Sequence, residues 1–234
     1  MLIFGQAPIP DRHARTVPEM TEPPAHRYHD LDHIPVHRCA HLLPLASTSL
    51  DVGSYHDRVI VWLNGTFGAG KTATATALVP LIPQARLFDP ETVGYMLQPN
   101  LADHPVSDFQ HLAPWRPLVV ATATKLARYT GEHLIAAQTI LNRDYLAEII
   151  TGLQAAGAAV FHILLDASDD TLRRRIEASA EARQWRLDHL TEYRQARGWL
   201  RHEADLVLDT TLLTAAQAAR KIASALPSLA NRRS

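Results

Sequence analysis

Runs of apolar residues alternate along this chain with segments in which apolar residues recur every three or four positions. The first run, residues 59–63, is apolar throughout and rich in β-branched residues, which predicts a strand buried on both faces of a parallel sheet. Further runs predict strands at residues 86–88, 133–137, 160–165 and 204–208. The sequence thus predicts about five strands.

Segments with helical periodicity lie between and after these strands. They cover residues 72–79, 115–129 and 144–155, a long stretch rich in Arg and Glu from residue 171, and residues 214–226. Pro80 and Gly131 follow the first two segments, as residues that end helices commonly do. Strands that alternate with helices predict an α/β fold, in which a parallel sheet carries helices on both faces.

Residues 1–57 differ in composition from the rest, since they hold seven of the 15 prolines and seven of the 13 histidines. We predict a flexible N-terminal extension over residues 1–57 and a single folded domain over residues 58–234. Four histidines, at positions 29, 33, 37 and 41, would share one helix face and could hold a metal ion. Pro35 interrupts that helix, which favours a His-rich leader; a start codon assigned too far upstream is the third interpretation.

Composition and charge exclude several classes of protein. Hydrophobic residues make up 47% of the chain and charged residues 20%, which is a globular balance, and the formal net charge is −1. No run of like charges is typical of a tail that binds a polyanion, so nucleic acid is not expected as a partner. The single cysteine, Cys39, permits no intrachain disulfide, and we find neither an export signal nor a membrane span. We therefore expect a cytoplasmic protein.

Residues 65–72 read GTFGAGKT and match the pattern G-x-x-x-x-G-K-[ST]. They follow a predicted buried strand and precede a predicted helix, which is the context in which this pattern binds phosphate. The sequence therefore predicts a site for ATP and Mg²⁺, in which Lys71 bridges the β- and γ-phosphates and the hydroxyl of Thr72 binds the metal ion. The predicted nucleotide contacts are Gly65, Thr66, Phe67, Gly68, Ala69, Gly70, Lys71 and Thr72.

A small kinase fits this P-loop best, because the elements of GTPases and the long insertions of transporter ATPases and helicases are missing from the sequence. Such a kinase needs a carboxylate at the end of the second strand, and Asp89 lies there. Asp89 would accept the proton of a substrate hydroxyl or position Mg²⁺. The alternative role is a cap for the turn or helix that follows Pro90.

Phosphoryl transfer also needs positive charge over the migrating group, and five arginines after the fourth strand predict a small Arg-rich lid. These residues are Arg173, Arg174, Arg175, Arg183 and Arg186. We assign Arg175 to the nucleotide, and Arg174 and Arg183 to the lid or the substrate. Surface ion pairs with Glu177 and Glu181 are the alternative for each of them.

Three strings in this sequence, VIVWLNGTFGAGKT, LFDPETVGYML and DFQHLAPWRP, together with the segment from residue 133 to residue 175, resemble the ATP-binding tunicamycin resistance proteins. These proteins belong to the nucleoside-monophosphate-kinase-like and antibiotic phosphotransferase-like P-loop proteins, and the resemblance covers residues 59–226. It implies that Asp89 faces the substrate pocket. It also implies that Arg116 is a second catalytic residue, which holds phosphate or drug, and that Trp115 contacts substrate. A surface arginine at a helix start is the alternative for Arg116.

The chain departs from this family pattern in three ways. Residues 1–57 have no counterpart, and no long basic extension follows the last helix, which puts membrane association in doubt. After the third strand, residues 136–139 read AAQT where many small kinases carry an acidic residue. We therefore expect Thr72 and Asp89 to hold Mg²⁺ and Gln138 to contact substrate.

Three functional hypotheses follow from the P-loop and the resemblance. The first is ATP-dependent phosphorylation of a hydroxyl of tunicamycin or a related uridine-containing sugar nucleoside, which would confer resistance. The second is a protein that binds ATP and drug together and sequesters the drug without transfer. The third is a kinase of an unrelated small metabolite. Specificity depends on the shape of the pocket, for which the sequence gives only fragments.

Overall fold

The computed structural model describes residues 58–179 and 182–230 of the 234-residue chain. The strands are β1 (Val59–Asn64), β2 (Ala85–Phe88), β3 (His133–Ala137), β4 (Ala159–Asp166) and β5 (Leu206–Asp209). The α-helices are α1 (Lys71–Leu78), α2 (Glu91–Asn100), α3 (Trp115–Thr130), α4 (Arg143–Ala155), α5 (Asp169–Glu177), α6 (Arg183–Glu203) and α7 (Ala215–Ala230). The predicted extension over residues 1–57, with its periodic histidines and Cys39, lies outside the described residues.

All neighbouring strands run parallel, in the order β2-β3-β1-β4-β5. The central strand β1 is covered on both faces, and the side chains from Ile60 to Leu63 are almost wholly inaccessible. Its partners β3 and β4 are nearly as apolar, which buries the middle of the sheet. The predicted α/β architecture with five parallel strands is confirmed.

Two groups of helices cover the sheet. In the first group α1 packs against α7, and in the second α4 packs against α3 and α6. The last predicted helical segment, residues 214–226, corresponds to α7, whose Ala219 and Ile222 are wholly buried. Among the described residues, no helix combines the length and the apolar character that crossing a membrane would require.

Helix α2 was not among the predicted helical segments, although a turn or helix after Pro90 was considered for the capping role of Asp89. Gly94 and Pro99 lie inside α2, and such residues usually interrupt helices, whereas Pro90 precedes it at a position where proline is tolerated. It forms because Val93 and Leu97 are buried against the core. Gly94 is needed there, since a Cβ would lie 2.5 Å from the ring of Phe109 in the short 3₁₀ turn Phe109–His111.

The carboxyl ends of all five strands meet at one edge of the sheet, as parallel pairing requires. At this edge lie the loop after β1, Asp89 after β2, Gln138 after β3 and Asp166 at the end of β4. Ligands of open α/β sheets bind outside the carboxyl ends of the strands. A ligand site is therefore expected at this edge of the sheet.

Candidate phosphate and acceptor site

The predicted phosphate-binding loop follows β1 and is fixed at its start by Asn64. The buried Asn64 side chain accepts hydrogen bonds from the N–H groups of Gly65 (2.7 Å) and Ile140 (3.0 Å), and it donates one to the Ile140 carbonyl (3.0 Å). Gly65 has a φ of 143°, and a Cβ there would lie 2.3 Å from the carbonyl oxygen of Leu165. The loop therefore requires glycine at this position.

A cavity of about 350 Å³, here named the phosphate cavity, opens at the start of α1. Gly68, Gly70, Lys71 and Thr72 line it, and the φ of 92° at Gly70 turns the chain into the helix. The first N–H groups of a helix have no intrahelical partner and carry partial positive charge. The cavity therefore lies where the sequence motif predicts binding of phosphate.

Lys71 lies in the phosphate cavity together with Glu91 and Arg186. Its Nζ donates a hydrogen bond to the carbonyl oxygen of Thr66 at 3.0 Å. Burial lowers the pKa of Lys71 to about 7, the Glu91 carboxylate opposes this shift, and the Arg186 guanidinium adds to it. A phosphate group would favour the charged ammonium, so an anion in this cavity would be held by both Lys71 and Arg186.

Arg186 is the member of the predicted arginine lid that lines the phosphate cavity. It belongs to the first turn of α6 and donates a hydrogen bond to the hydroxyl of Ser179 at 2.8 Å. The loop residue Phe67 packs against the first two turns of α6, with its ring centroid 4.9 Å from that of Trp185 and 5.5 Å from that of His189. The start of α6 thus covers the phosphate-binding loop, as expected of a lid.

The other arginines of the predicted lid have different roles. Arg175 donates hydrogen bonds to the carbonyl oxygens of Gly68 (3.1 Å) and Thr210 (2.8 Å), so it supports the loop from outside the cavity. Arg174 bonds the hydroxyl of Thr171 at 3.2 Å, and Arg173 forms the predicted surface pair with Glu177 at 4.0 Å. Arg183 is exposed at the start of α6 and is not among the described residues that line the cavities. Contacts of Arg174, Arg175 and Arg183 with ligand stay predictions.

Asp89 is exposed at the end of β2, and its carboxylate accepts a hydrogen bond from the N–H of Glu91 at 2.9 Å. The predicted alternative role as a cap is therefore present in the structure. Asp89 also lines a cavity of about 260 Å³ together with Thr72 and Glu91. The two predicted metal ligands, Thr72 and Asp89, therefore line the same cavity.

Glu91 is the functional candidate that the sequence analysis missed. It lines the phosphate cavity, the cavity of Asp89 and a third cavity described below. The hydroxyl of Tyr95 donates a hydrogen bond to its carboxylate at 2.8 Å, and burial together with this carboxylate raises the pKa of Tyr95 to about 12. The Tyr95 hydroxyl thus keeps its proton at neutral pH and orients Glu91. Two carboxylates on either side of Pro90 were the signal available in the sequence.

A cavity of about 290 Å³, here named the acceptor cavity, adjoins the phosphate cavity. Both are lined by Phe67, Glu91, Thr139 and Arg186. The predicted substrate residue Gln138 lines the acceptor cavity; its side chain is buried, and its Oε1 has no hydrogen-bond partner among the described residues. A buried amide oxygen without a donor is unfavourable, so a donor group of a ligand would stabilise it.

The sequence prediction for Trp115 is corrected by its burial. The Trp115 side chain is wholly inaccessible, donates a hydrogen bond from Nε1 to the Pro90 carbonyl (3.1 Å) and packs on Phe109. Trp115 therefore does not contact substrate in this structure; it supports the segments that carry Glu91 and the 3₁₀ turn. The family resemblance implied a ligand contact for Trp115, but its side chain packs in the core instead.

Arg116 is the second residue of α3, directly after Trp115. Its guanidinium pairs with Glu148 (2.5 Å), donates to the carbonyl of Gln110 (2.8 Å) and covers the ring of Tyr145. Gln110 and Tyr145 both line a cavity of about 500 Å³ next to the acceptor cavity. Arg116 thus supports the wall of that cavity, and its predicted contact with phosphate or drug stays a prediction.

A network centred on Asp166 attaches α6 to the sheet. The buried carboxylate accepts hydrogen bonds from Tyr193 (2.6 Å), Arg197 (3.0 Å) and Arg201 (2.8 Å), all from α6. Burial alone would raise the pKa of Asp166, but these three donors hold it below its ordinary value. Because α6 begins with Trp185 and Arg186, this network fixes the helix that covers the phosphate-binding loop.

No group of three or more His, Cys, Asp or Glu side chains that could hold a metal ion occurs within residues 58–179 and 182–230. A Mg²⁺ ion that binds with a nucleotide needs only one or two carboxylates, because phosphates and waters supply the other ligands. Thr72 and Asp89, which line a common cavity, fit this requirement.

The fold and the site define a P-loop protein of the kinase-like type. A family model described as an AAA domain matches residues 60–195, which is more than half of the chain. This family is a P-loop kinase-like domain, and the chain belongs to it. The P-loop NTPase fold and the use of a nucleotide agree with this family.

The solved structures to which this chain is similar include a tunicamycin resistance protein of Deinococcus radiodurans. The two are 27% identical with a TM-score of 0.59, over 72% of this chain and 95% of the other. The resemblance predicted from the sequence is confirmed.

Two further structures are similar in fold alone. A shikimate kinase from Acinetobacter baumannii is 16% identical with a TM-score of 0.52, over 76% of this chain and 97% of the other. A gluconokinase from Sinorhizobium meliloti is 15% identical with a TM-score of 0.53, over 76% of this chain and 95% of the other. No curated protein matches the sequence.

Proposed function

We propose that this protein uses MgATP to phosphorylate a hydroxyl group of tunicamycin or of a similar nucleoside antibiotic, and so confers resistance. The observation that carries the proposal is the junction of the phosphate and acceptor cavities, which share Phe67, Glu91, Thr139 and Arg186. Catalysis of phosphoryl transfer consists mainly of positioning two reactants and stabilising charge, and adjoining cavities with shared walls serve that purpose.

We propose tunicamycin as the substrate because the chain is similar to the tunicamycin resistance protein of Deinococcus radiodurans. That similarity reaches 27% identity and covers 95% of the other chain, so it is not confined to the P-loop. The kinases of small hydroxylated molecules that share the fold support the class of reaction but not the substrate.

For the nucleotide, we assign the triphosphate to the loop of residues 65–72, with Lys71 at the β- and γ-phosphates and Arg186 over the γ-phosphate. Thr72 and Asp89 would hold Mg²⁺, which neutralises charge on the phosphates when it is bound. Arg175 acts through the loop, because its guanidinium supports the carbonyl of Gly68.

We assign the role of general base, which removes the proton of the acceptor hydroxyl, to Glu91 rather than to Asp89. Glu91 lines both the phosphate and the acceptor cavity, whereas Asp89 is not among the described residues of either. The Glu91 carboxylate would take the proton of the acceptor hydroxyl, whose oxygen bonds to the γ-phosphorus as the bond to the β,γ-bridging oxygen breaks. ADP and the phosphorylated acceptor are the products.

The test is incubation of the full chain with MgATP and tunicamycin, followed by mass spectrometry and an assay for ADP. The expected result is a product heavier by one phosphoryl group, formed in equal amount to ADP. Lys71→Ala is the control, because it removes a charge that holds the β- and γ-phosphates and should abolish both the product and resistance in cells.

Two other results would contradict phosphotransfer. Drug-dependent ADP without a phosphorylated product would indicate futile hydrolysis. Binding of ATP and tunicamycin with neither ADP nor product would support the sequestration hypothesis, in which the same cavities hold nucleotide and drug without reaction.

A further inference from the structure

Two carbonyl groups of the phosphate-binding loop accept hydrogen bonds from residues that are distant in the sequence. The Gly68 carbonyl accepts one from the Arg175 guanidinium (3.1 Å), and the Ala69 carbonyl accepts one from the Thr210 hydroxyl (3.1 Å). Neither Arg175 nor Thr210 is among the described residues that line the phosphate cavity. Both donors therefore contact the loop from outside the cavity.

Thr210 directly follows β5, and it is buried, with 3% of its surface exposed. Its hydroxyl oxygen lies 3.0 Å from the Asp166 carbonyl, but the Thr210 N–H already donates to that carbonyl at 2.7 Å. Arg175 donates to the same hydroxyl oxygen at 3.4 Å, which leaves the hydroxyl proton for an acceptor. The Ala69 carbonyl is therefore the acceptor for which the Thr210 hydroxyl matters most.

The direction of the Ala69 carbonyl determines the direction of the next N–H group in the loop. No cis peptide bond occurs among the described residues, so the Ala69 C=O and the Gly70 N–H point in opposite directions across one planar group. Thr210 holds this C=O from outside the phosphate cavity, whereas Gly70 lines the cavity. The Gly70 N–H is thereby directed away from Thr210 and toward the phosphate cavity.

Arg175 acts on the preceding peptide group, which has a different role. The N–H of this group belongs to Ala69 and donates to the Thr66 carbonyl at 3.3 Å, inside the loop. The Thr66 carbonyl also accepts the hydrogen bond from the Nζ of Lys71. The peptide held by Arg175 at the Gly68 carbonyl thus belongs to the internal turn of the loop, whereas the next peptide faces the ligand.

We propose that Thr210 is a positioning residue for the phosphates of the nucleotide, and that it acts through the peptide between Ala69 and Gly70. Without the hydroxyl, the Ala69 carbonyl loses its donor, and the peptide turns toward another one. The Gly70 N–H is then no longer preorganised toward phosphate. The inference rests on the proposed function for the nucleotide alone, since it requires phosphate in the loop but no acceptor.

The test uses Thr210→Val, which keeps the shape of the side chain and removes the donor. Thr210→Ser keeps the hydroxyl and should restore the parent behaviour. The matched control is Thr124→Val in α3, because Thr124 is also buried and its hydroxyl donates to the carbonyls of Val120 (2.8 Å) and Ala121 (3.1 Å). Thr210→Cys, which has only a weak donor, replaces Thr210→Val if urea unfolding shows that the latter does not fold.

Two probes are titrated calorimetrically into each full-length protein in the presence of Mg²⁺. One is ATP, and the other is tripolyphosphate, which has neither base nor ribose. We expect Thr210→Val to bind both probes about tenfold more weakly than the parent, because the loss concerns a hydrogen bond to phosphate. Thr210→Ser and Thr124→Val should bind both probes as the parent does.

A second readout follows the Gly70 amide itself. Labelling of alanine carbonyls with ¹³C and glycine nitrogens with ¹⁵N selects the peptides Ala69–Gly70 and Ala156–Gly157 in this sequence. Gly157 precedes β4, at the opposite edge of the sheet, and serves as an internal reference. A hydrogen bond to phosphate moves the Gly70 proton resonance downfield when tripolyphosphate binds. This shift should be present in the parent and Thr210→Ser, and smaller in saturated Thr210→Val.

Several results would overturn the inference. Weaker binding of ATP at unchanged binding of tripolyphosphate would place the effect at the base or ribose. An equal loss in Thr124→Val would show general destabilisation. An equal shift of the Gly70 resonance in the parent and Thr210→Val would show that the N–H does not depend on Thr210.

The same measurements separate the inference from the proposed function. Weaker binding of both probes in Thr210→Val, with no phosphorylated tunicamycin from the parent, supports the inference and contradicts phosphotransfer. Unchanged binding in Thr210→Val, with product formed by the parent, overturns the inference and leaves the proposed function intact. A parent protein that binds neither probe overturns both.

Discussion

The ring of Phe67 in the phosphate-binding loop packs edge to face against the ring of Trp185 in α6, with centroids 4.9 Å apart. His189, one turn further along α6, packs on both rings. The loop and the start of α6 are thereby joined by an apolar contact next to the phosphate cavity. Arg186 follows Trp185 directly, and its guanidinium carbon lies 5.7 Å from the centroid of the Phe67 ring.

We expect Trp185→Ala to weaken ATP binding by about 2- to 10-fold, the equivalent of one aromatic pair of about 0.5–1.5 kcal/mol. Trp185→Phe preserves an aromatic edge and should bind nearly as the parent does. Calorimetry with ATP measures both. If the effect acts through Phe67, Trp185→Ala should change little in a Phe67→Leu background; an equal loss in both backgrounds would contradict the coupling.

The lowered pKa of Lys71, about 7, predicts a pH dependence of ATP binding. Phosphate should raise this pKa, so that above about pH 7 the protein must take up a proton when ATP binds, and the affinity for ATP should fall as the pH rises. Well below pH 7, Lys71 is charged in both the free and the ATP-bound protein, so it takes up no proton when ATP binds. Calorimetry at about pH 8 in two buffers of different ionisation enthalpy measures the proton directly.

Lys71→Arg is the matched control for this pH dependence, because its guanidinium stays charged throughout. It should bind ATP with less proton uptake than the parent. Equal uptake by the parent and Lys71→Arg would show that the proton binds elsewhere, for instance on the nucleotide.

The Asp166 network predicts a large contribution to stability. Asp166→Asn removes the charge that accepts bonds from Tyr193, Arg197 and Arg201, and we expect the free energy of unfolding to fall by about 1.5–3 kcal/mol. Asp169→Asn removes a half-exposed partner of Arg194 and Arg197 and should cost less than about 1 kcal/mol. Urea unfolding measures both, and equal losses would contradict the assignment of the buried carboxylate as the main anchor.

The same network predicts the sign of an acid effect. Because hydrogen bonds hold the pKa of Asp166 below its ordinary value despite burial, its contribution to stability is present above that ordinary value. It is lost as the pH falls through the lowered pKa. As the pH falls from the ordinary pKa of Asp to the lowered pKa of Asp166, the free energy of unfolding should therefore decrease less in Asp166→Asn than in the parent.

Local patterns were sufficient to predict the sheet and the phosphate-binding loop. The strand of residues 59–63 is uniformly apolar, and the loop motif after it has a defined backbone, so both follow from adjacent residues. Helix α2 could not be predicted in this way. Its Pro and Gly residues oppose a helix locally, and the burial of Val93 and Leu97 that stabilises it comes from distant parts of the chain.

Which residues line the cavities depends still more on contacts between segments that are distant in the sequence. Five arginines predicted a lid as a group, but only the packing of α6 on Phe67 distinguishes Arg186 from Arg173. Trp115 lies in a string typical of a pocket, and the core contacts that bury it are not visible in that string. Glu91 was overlooked because its importance arises where three cavities meet.

The two carboxylates next to Pro90 provide the most discriminating test of the chemistry. Glu91→Gln keeps the size of the side chain and much of its hydrogen bonding but removes its basicity. If Glu91 is the general base, kcat for phosphorylation of tunicamycin should fall by on the order of 10²- to 10⁴-fold, while MgATP binding changes little. Asp89→Asn should instead weaken MgATP binding and lower turnover together, because Asp89 shares its cavity with Thr72 on the side assigned to the metal ion.

Turnover and MgATP affinity must be measured for both variants, since the pair of values distinguishes the roles. A loss of turnover in Asp89→Asn at unchanged MgATP affinity would return the role of base to Asp89, as the sequence alone suggested. Asp89→Asn would act only on the cap of α2 if it lowers thermal stability but changes neither value, because the bond to the N–H of Glu91 at 2.9 Å would then be its sole contribution. Unchanged turnover in Glu91→Gln would remove Glu91 from the reaction and leave the Tyr95 contact as its role.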